Sequence, residues 1–559
     1  MKSFSNLVKN ELIKIFAQTA YKVFIIIMVV LFMFVPLLSK GLTALVNGLS
    51  GFFDIEDDIA YYEEMVDDYN DGLERDYYEI TLKTLEFFQS NGLDYESWQY
   101  STMYGDYLYF CLSEHIYKCL RDGTVTLEEA KESLFDSCLD DNVTELDYGS
   151  AYELLSTERK EYESLIIDSE IADYYEKIYN DLLETKKAYD SYLLDLKANK
   201  LFNEEYKYEI FSYERALESY DDTLEILKFI KDNSIDYNSW KYHSWAVAQS
   251  MVLEMLSYNG PVSLHEFSTN SIYYEEYDDY EDYIEQWETT LNDEREAVMV
   301  LKYSVLNNIP TQSVQESSSK ATYNSTLISN IELIMYFAVV LAGLIVANEF
   351  SSGSARLLFI RPHSRNKILL SKYVSILIVV FVLNILNAFI SFGFTVMING
   401  IGDIFAPNLV VSDGIVKESS AFLVSLGTIV LTNMRLLLAV SLAFMMSALC
   451  KKGALGIIVG ILFDVFLSLI YSSIMLVSDL AFLKFTPIPY YMMEIFVSSK
   501  VEYVISQTYV NNVIMLSNTS QYQIASQLNV WAGLANFAFW FVICLLAIFV
   551  PFKKQEIKN

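Results

Sequence analysis

Six apolar stretches constrain this chain more than any other feature. A hydrocarbon core of ~30 Å takes about 20 residues of helix to cross. Residues 23–45, 328–347, 368–397, 424–449, 453–477 and 528–551 all reach that length. The first opens as VFIIIMVVLFMFVPLL, and no small-residue cleavage site follows, so it reads as a span and not as a removable leader. The expected fold class is therefore all-α: a polytopic membrane protein with six transmembrane helices and a helical domain outside them.

The formal net charge of −34 averages two unlike parts. Residues 46–325 hold 62 of the 73 acidic residues and only 20 of the 39 basic ones, which leaves the remainder basic overall. Lysine and arginine beside short loops mark the cytoplasmic side. One side collects Lys2, Lys9, Lys14, Lys22, Arg356, Arg361, Arg365, Lys367, Lys451, Lys452, Lys553, Lys554 and Lys558, against Lys40, Lys417, Lys484 and Lys500 on the other. Both termini are thus expected inside a bacterial cell membrane and the acidic segment outside it.

The resulting division is a cytoplasmic amphipathic helix over 1–22, a span over 23–45, an acidic extracellular domain over 46–325, spans two to six within 326–551, and a tail over 552–559. Phe4, Leu7, Val8, Leu12, Ile15 and Phe16 recur at helical spacing, as suits a helix lying in the headgroup plane.

Two charges fall within spans. Arg435 and Asp464 lie ~21 Å and ~16 Å along sequential antiparallel helices from the ends near Leu449 and Gly453, at ~1.5 Å per residue. An unpaired charge at that depth costs several kcal/mol, so an ion pair is expected. It either holds the two helices together or lines a polar path, and Asn433 extends either arrangement.

Between the second and third spans stands NEFSSGSARLLFIRPHSRNKILLSKY. Glu349, the small residues Ser351 to Ser354, Arg356-Leu357-Leu358, Arg361-Pro362-x-Ser364-Arg365 and Ile368-Leu369-x-Ser371-Lys372 resemble the permease subunits of ABC-2 type exporters. The amphipathic N-terminal helix and the six-span plan with both ends inside match that family as well. The resemblance covers about half the chain and leaves the outer segment aside. It implies that Glu349, Arg356, Arg361, Pro362, Arg365 and Lys367 form the loop on which an ABC ATPase docks. It also implies a second permease copy as partner, identical or not, in contact with membrane lipid.

The residues support such a handle by themselves. A helix over 353–361 stopped by Pro362 makes a compact cationic knob. No GxxxxGK[ST] occurs, so no nucleotide cradle is expected on this chain. No cofactor is expected here; ATP and Mg would sit on the partner ATPase. The segment LAFLKFTPIPYYMMEIFVSSKVEYVISQ is too broken to span and resembles the family's outer-leaflet helices.

The outer segment repeats itself. TLKTLEFFQSNGLDYESWQY (81–100) and TLEILKFIKDNSIDYNSWKY (223–242) share Asn91/Asn233, Asp94/Asp236, Tyr95/Tyr237, Ser97/Ser239 and Trp98/Trp240 at a constant offset. The copies run over about 61–140 and 203–280, and VMVLKYSVLNNIP is a partial third. Each copy reads as a helix hairpin with a stop at Asn-Gly or Asn-Ser and an N-cap at Asp94 or Asp236. Near-heptad rhythms at Ile171 to Leu196 and at Tyr280 to Leu301 add long helical arms.

Trp98 and Trp240 either plug their hairpins or contact an extracellular substrate. The negative field suits a cationic amphipathic peptide. Nucleic acid is not an expected partner. Cys111, Cys119 and Cys138 read as buried thiols, with a Cys119–Cys138 bridge as the alternative, and YYEEYDDYEDY lacks EF-hand spacing, so no metal site is expected. No nucleophile–base set is evident, so an enzyme is not expected. The function expected is ATP-driven export of an amphipathic substrate such as an antimicrobial or lantibiotic-like peptide. Sodium or lipid are rival cargoes, and a non-transporting sensor or adhesion protein is the rival of another class.

Overall fold

A computed structural model of the chain describes residues 2–50, 55–69, 72–95, 97–139, 147–200, 205–257, 260–269, 277, 279–311, 318–351, 364–474, 481–497, 504–505 and 528–554. Arg356, Arg361, Pro362 and the helix expected over 353–361 lie outside the described residues.

In chain order the helices begin with α1 (Lys2–Ala17), α2 (Thr19–Ser50), α3 (Ile55–Asp68), α4 (Leu73–Ser90), α5 (Trp98–Asp122) and α6 (Leu127–Lys131). There follow α7 (Tyr148–Asp168), α8 (Ile171–Lys200), α9 (Glu205–Asp232), α10 (Trp240–Ser257), α11 (Leu264–Thr269) and α12 (Tyr280–Asn307). The apolar remainder is α13 (Ser319–Ser351), α14 (Arg365–Asn399), α15 (Ala421–Cys450), α16 (Gly453–Ile474) and α17 (Val530–Lys554). Two units result: Met1–Lys40, Tyr189–Ile226 and His243–Asn559 form one, and Gly41–Ala188 with Leu227–Tyr242 form the other.

In the first unit, α13 to α17 supply five helices long and apolar enough to cross a membrane. A bent pair, Phe4–Ala17 and Thr19–Phe34 meeting at 78°, raises the number to as many as six. The protein is thus a multi-pass, membrane-embedded helical protein with a large segment outside the apolar helices.

Helix α13 starts at Ser319, nine residues before the expected boundary at 328, for a local reason. The Asp403 carboxylate accepts from the Ser319 amide at 2.7 Å and from the Ser318 hydroxyl, which satisfies the first turn. Buried Lys320 donates to the carbonyls of Ala406 and Pro407 at 3.3 and 3.2 Å. A strand pair was not anticipated. Asn408–Ser412 (β1) and Ile415–Ser419 (β2) pair antiparallel about Asp413-Gly414, both in the left-handed region that a two-residue hairpin needs. Tyr303 of α12 donates to Glu418 of β2 at 3.1 Å.

The apolar helices approach closely through small residues. A Cβ placed on Gly456 would lie 2.6 Å from the Ala443 carbonyl oxygen, and one on Gly460 would lie 2.6 Å from Val339 Cγ1. Gly456 and Gly460 form a GxxxG face of the kind that packs spans through backbone contact. Polar side chains add to it: Asn330 donates to Asn387 at 2.9 Å and to Ser391 at 3.1 Å. Substituting Gly456 with valine should cost about 1–3 kcal/mol by overpacking. A detergent-solubilised variant that melts with the parent would contradict this close approach.

Helices joined by turns make up the described residues of the other unit. Phe135, Ile116, Leu112, Ala130, Cys138 and Tyr148 form its core. Thr126 and Glu129 make a reciprocal capping box that starts α6. The aligned turns close alike: Asn91 and Asn233 side chains donate to Phe87 and Phe229 carbonyls at 2.8 Å, and the amides of Leu93 and Ile235 reach back to Phe88 and Ile230. Gly92 (φ 71°) and Ser234 (φ 48°) occupy the same left-handed position.

The expected N-caps need correction. Ser97 caps α5 by accepting from the Tyr100 amide, while the Asp94 carboxylate accepts from the Ser97 amide one turn earlier. Asp236 does the same for the Asn238 amide. An aspartate at the corner bonds the backbone just ahead of it, and the serine after it is left to cap. Two adjacent tyrosines tie the two copies to α8: Tyr174 donates to the Thr102 carbonyl near the start of α5, and Tyr175 to the Ile235 carbonyl in the turn of the second copy.

Among the buried acids of the first unit that lie outside the spans, Glu294 on α12 lacks a compensating partner at one oxygen: its Oε2 accepts no hydrogen bond from a described residue. Burial, with Glu254 and Asp293 nearby, pushes its carboxyl well above the usual range. The folded chain therefore holds this proton more tightly than the unfolded chain does. The contribution of this group to stability is greatest at acid pH and falls from about pH 4.3 upward, until the folded group has ionised. Glu294→Gln should flatten that fall and raise the melting midpoint at about pH 8. Equal midpoints for variant and parent there would refute it.

Candidate functional site: two charged clusters among the apolar helices

Two groups of ionisable side chains interrupt the apolar packing, one at the ends of helices and one in mid-span. The first is built on α1. Leu7, Val8 and Ile15 are buried, and Glu11 lies on the same face, one turn from Leu7 and one from Ile15. That face packs on α14, where the Ser375 hydroxyl donates to the Val8 carbonyl at 3.3 Å. Glu11 thereby meets Lys372, whose ammonium lies 2.7 Å from Glu11 Oε2 and 2.6 Å from Glu349 Oε1. Lys14 completes the set, 2.7 Å from Glu11 and 3.1 Å from Glu349.

Two carboxylates and two ammonium groups make this cluster neutral, which is what burial requires. Its connectivity matters more than its charge. Glu349 ends α13 and Lys372 lies in the second turn of α14, so their contact closes the base of the 349–372 segment. Glu11 ties α1 to that base. Of the loop residues singled out in the sequence, Glu349 belongs to this cluster, Arg365 is half-buried at the start of α14, and Lys367 is exposed.

The second cluster surrounds Arg435 on α15. Its side chain is 5% exposed, donates to Glu332 Oε1 of α13 at 2.8 Å, and lies with Nε 3.5 Å from Asp464 Oδ1 of α16. The structure thus brings Arg435 and Asp464 together and adds a carboxylate that the sequence reading did not include. Tyr336 donates to Asp464 Oδ2 at 3.2 Å. The guanidinium carbon stands 4.2 Å from the centre of the Tyr491 ring. Glu494, in the short helix Met493–Phe496, accepts from Thr432 at 3.5 Å, one turn before Arg435.

Glu332 lies ~26 Å along α13 from Glu349, well inside the span, yet its side chain is 44% exposed. Ionisable groups at such depth face a bundle interior or a water-filled path. Asn433 instead exchanges hydrogen bonds with Asn384 at 3.1 Å each way. That pair borders a 610 Å³ groove between α14 and α15, lined by Phe381, Phe389 and Phe422.

Outside the spans, Trp98 packs on Tyr174 with ring centres 5.7 Å apart, and the Lys241 ammonium lies 5.7 Å from the Trp240 ring; both indoles are half-buried. Cys111 and Cys119 are half-buried, Cys138 is buried, and all three are free thiols. Burial pushes the Cys111 and Cys138 thiols up, which makes them poor nucleophiles. His115 Nε2 meets both Asp76 Oδ2, at 3.2 Å, and Cys119 Sγ, at 3.6 Å. Both partners share one ring nitrogen, so the trio cannot relay a proton from thiol to acid.

Comparison with known proteins adds little chemistry. Residues 290–558 match a family described as protein of unknown function (DUF2705). The match takes in α13 to α17 and both clusters, apart from Glu11 and Lys14. A curated relative, "Uncharacterized protein YhcI" of Bacillus subtilis (strain 168), is 30% identical over 167 residues, which is 29% of this chain and 52% of that protein. The chain therefore spans about half the length of that relative. No solved structure matches.

Proposed function

We propose that this chain is the permease subunit of an ATP-driven exporter of the ABC-2 type, moving an amphipathic substrate while a separate subunit hydrolyses ATP. The observation that carries the reading is the contact of Lys372 with both Glu349 and Glu11. A push on the 349–372 loop displaces α13, α14 and α1 as one body, because the loop's two legs and the interfacial helix share a buried ammonium. Arg435 with Glu332, Asp464 and Glu494 would line the polar part of the path, with a second permease copy facing it.

In this reading both termini and the loop are cytoplasmic, and the acidic segment is a duplicated extracellular module. The equivalent turns at Asn91-Gly92 and Asn233-Ser234 support the duplication. Trp98 and Trp240 serve as hairpin plugs there. The cargo would be an amphipathic peptide of the antimicrobial or lantibiotic-like kind.

Co-expression with candidate ABC ATPase subunits, beginning with any encoded beside the gene, tests the coupling. The parent chain should capture one of them in stoichiometric amount, and Arg361→Glu with Arg365→Glu should abolish capture. Undiminished recovery with the double variant would overturn the docking role. Failure of the parent to capture any ATPase would favour a sensor or adhesion protein on a helical anchor.

A further inference from the structure

The mid-span cluster holds more acid than base. Glu332 and Asp464 pair with the guanidinium of Arg435, and Glu494 accepts from Thr432 one turn away, so with every group ionised two negative charges stand in excess among the described residues. Between apolar helices such an excess is far less screened than in water. Asp464 is only 4% exposed, and its Oδ1 accepts no hydrogen bond from any described residue; Arg435 Nε stands off at 3.5 Å. Beside this dry acceptor lies Glu332, open over 44% of its side chain. A buried acceptor short of a donor, next to an accessible carboxylate, is the arrangement that a donor entering from outside would complete.

The geometry also distinguishes among cations. A bare metal ion needs several oxygens around one point. No group of three or more His, Cys, Asp or Glu side chains among the described residues is placed to hold one. An ammonium or guanidinium group directs several N–H donors outward and suits carboxylates that stand apart. The Tyr336 and Tyr491 rings at the site fit the apolar stem that follows such a head.

We propose that Glu332 and Asp464, held apart by Arg435, bind the primary ammonium or guanidinium head of an amphipathic molecule. The proposal rests on the transport reading, and it narrows the substrate class to cations. The head could arrive on a free amphiphile or on an aminolipid, and both bring the same chemistry.

The purified full chain in detergent, without any ATPase, provides the test. Butylguanidinium and butylammonium should raise its melting midpoint in a saturable manner, whereas butanol and butanoate should not. Glu332→Gln should weaken the apparent affinity at least tenfold, and Glu332→Asp should retain it, which separates lost charge from lost folding. In nanodiscs of phosphatidylethanolamine the butylammonium effect vanishes if a lipid amine already fills the site. In phosphatidylglycerol it persists, and the contrast identifies the source.

Equal shifts with butanol, or unchanged affinity in Glu332→Gln, would overturn the proposal. Because no ATPase is present, that failure leaves loop docking untouched. Failed ATPase capture likewise leaves this binding result standing.

Discussion

Replacing Arg435 with methionine should lower the unfolding free energy by about 3–5 kcal/mol, the usual loss when one member of a buried ion pair is removed. Methionine keeps an unbranched stem of similar reach, so the loss is of charge more than of volume. Three carboxylates would remain among the spans, and translocon scales place each acid at a helix centre at about 2.5–3.5 kcal/mol.

The expectation therefore has a second half. Combining Arg435→Met with Asp464→Asn and Glu332→Gln should restore much of the stability, since of the three carboxylates only Glu494 is then left without its counter-ion. Unfolding of the purified chain by added denaturing detergent, read by the loss of helical circular dichroism, measures both halves. A single variant as stable as the parent, or a triple variant as weak as the single one, would remove Arg435 from the centre of the cluster.

Much of the fold is legible because membrane helices announce themselves by length and apolarity, and because capping chemistry repeats locally. Asn91-Gly92 and Asn233-Ser234 mark the turns correctly, since a left-handed residue after a helix has few solutions. The strand pair is barely legible, because five residues a side is a weak alternating signal. Asp413-Gly414 was its one strong mark.

The clusters were legible in part. Arg435 and Asp464 stand out by their depth, but Glu332 falls near the edge of the expected span at 328–347 and its depth appears only once α13 begins at Ser319. Glu11 interrupts the apolar stripe between Leu7 and Ile15, a local inconsistency that in hindsight marks a buried partner. Lys372 belongs to the Ser371-Lys372 pair that opens the third span. Its contact with Glu11, 361 residues away in sequence, is tertiary and has no local signature.

That contact carries the second large expected effect. Lys372→Met removes an ammonium whose side chain is 3% exposed and leaves Glu11 and Glu349 facing each other, with the exposed Lys14 as the cation still paired with both. Two carboxylates sharing a dry pocket repel, and the loss should again be about 3–5 kcal/mol. Lys14→Met, by contrast, should cost less than about 1 kcal/mol, because Lys14 is 47% exposed and its pairs are screened.

The clamp also makes a functional distinction that stability alone does not. Lys372→Met with Glu11→Gln balances charge again and should fold nearly as well as the parent, yet it leaves α1 without its ionic tie to α14. Such a double variant keeps Arg361 and Arg365, so under the proposed mechanism it should still capture the ATPase. ATP turnover should then continue while substrate movement in proteoliposomes falls at least tenfold. Full transport by that variant would show that α1 rides on α14 through apolar packing alone and that the ammonium is only a structural tie.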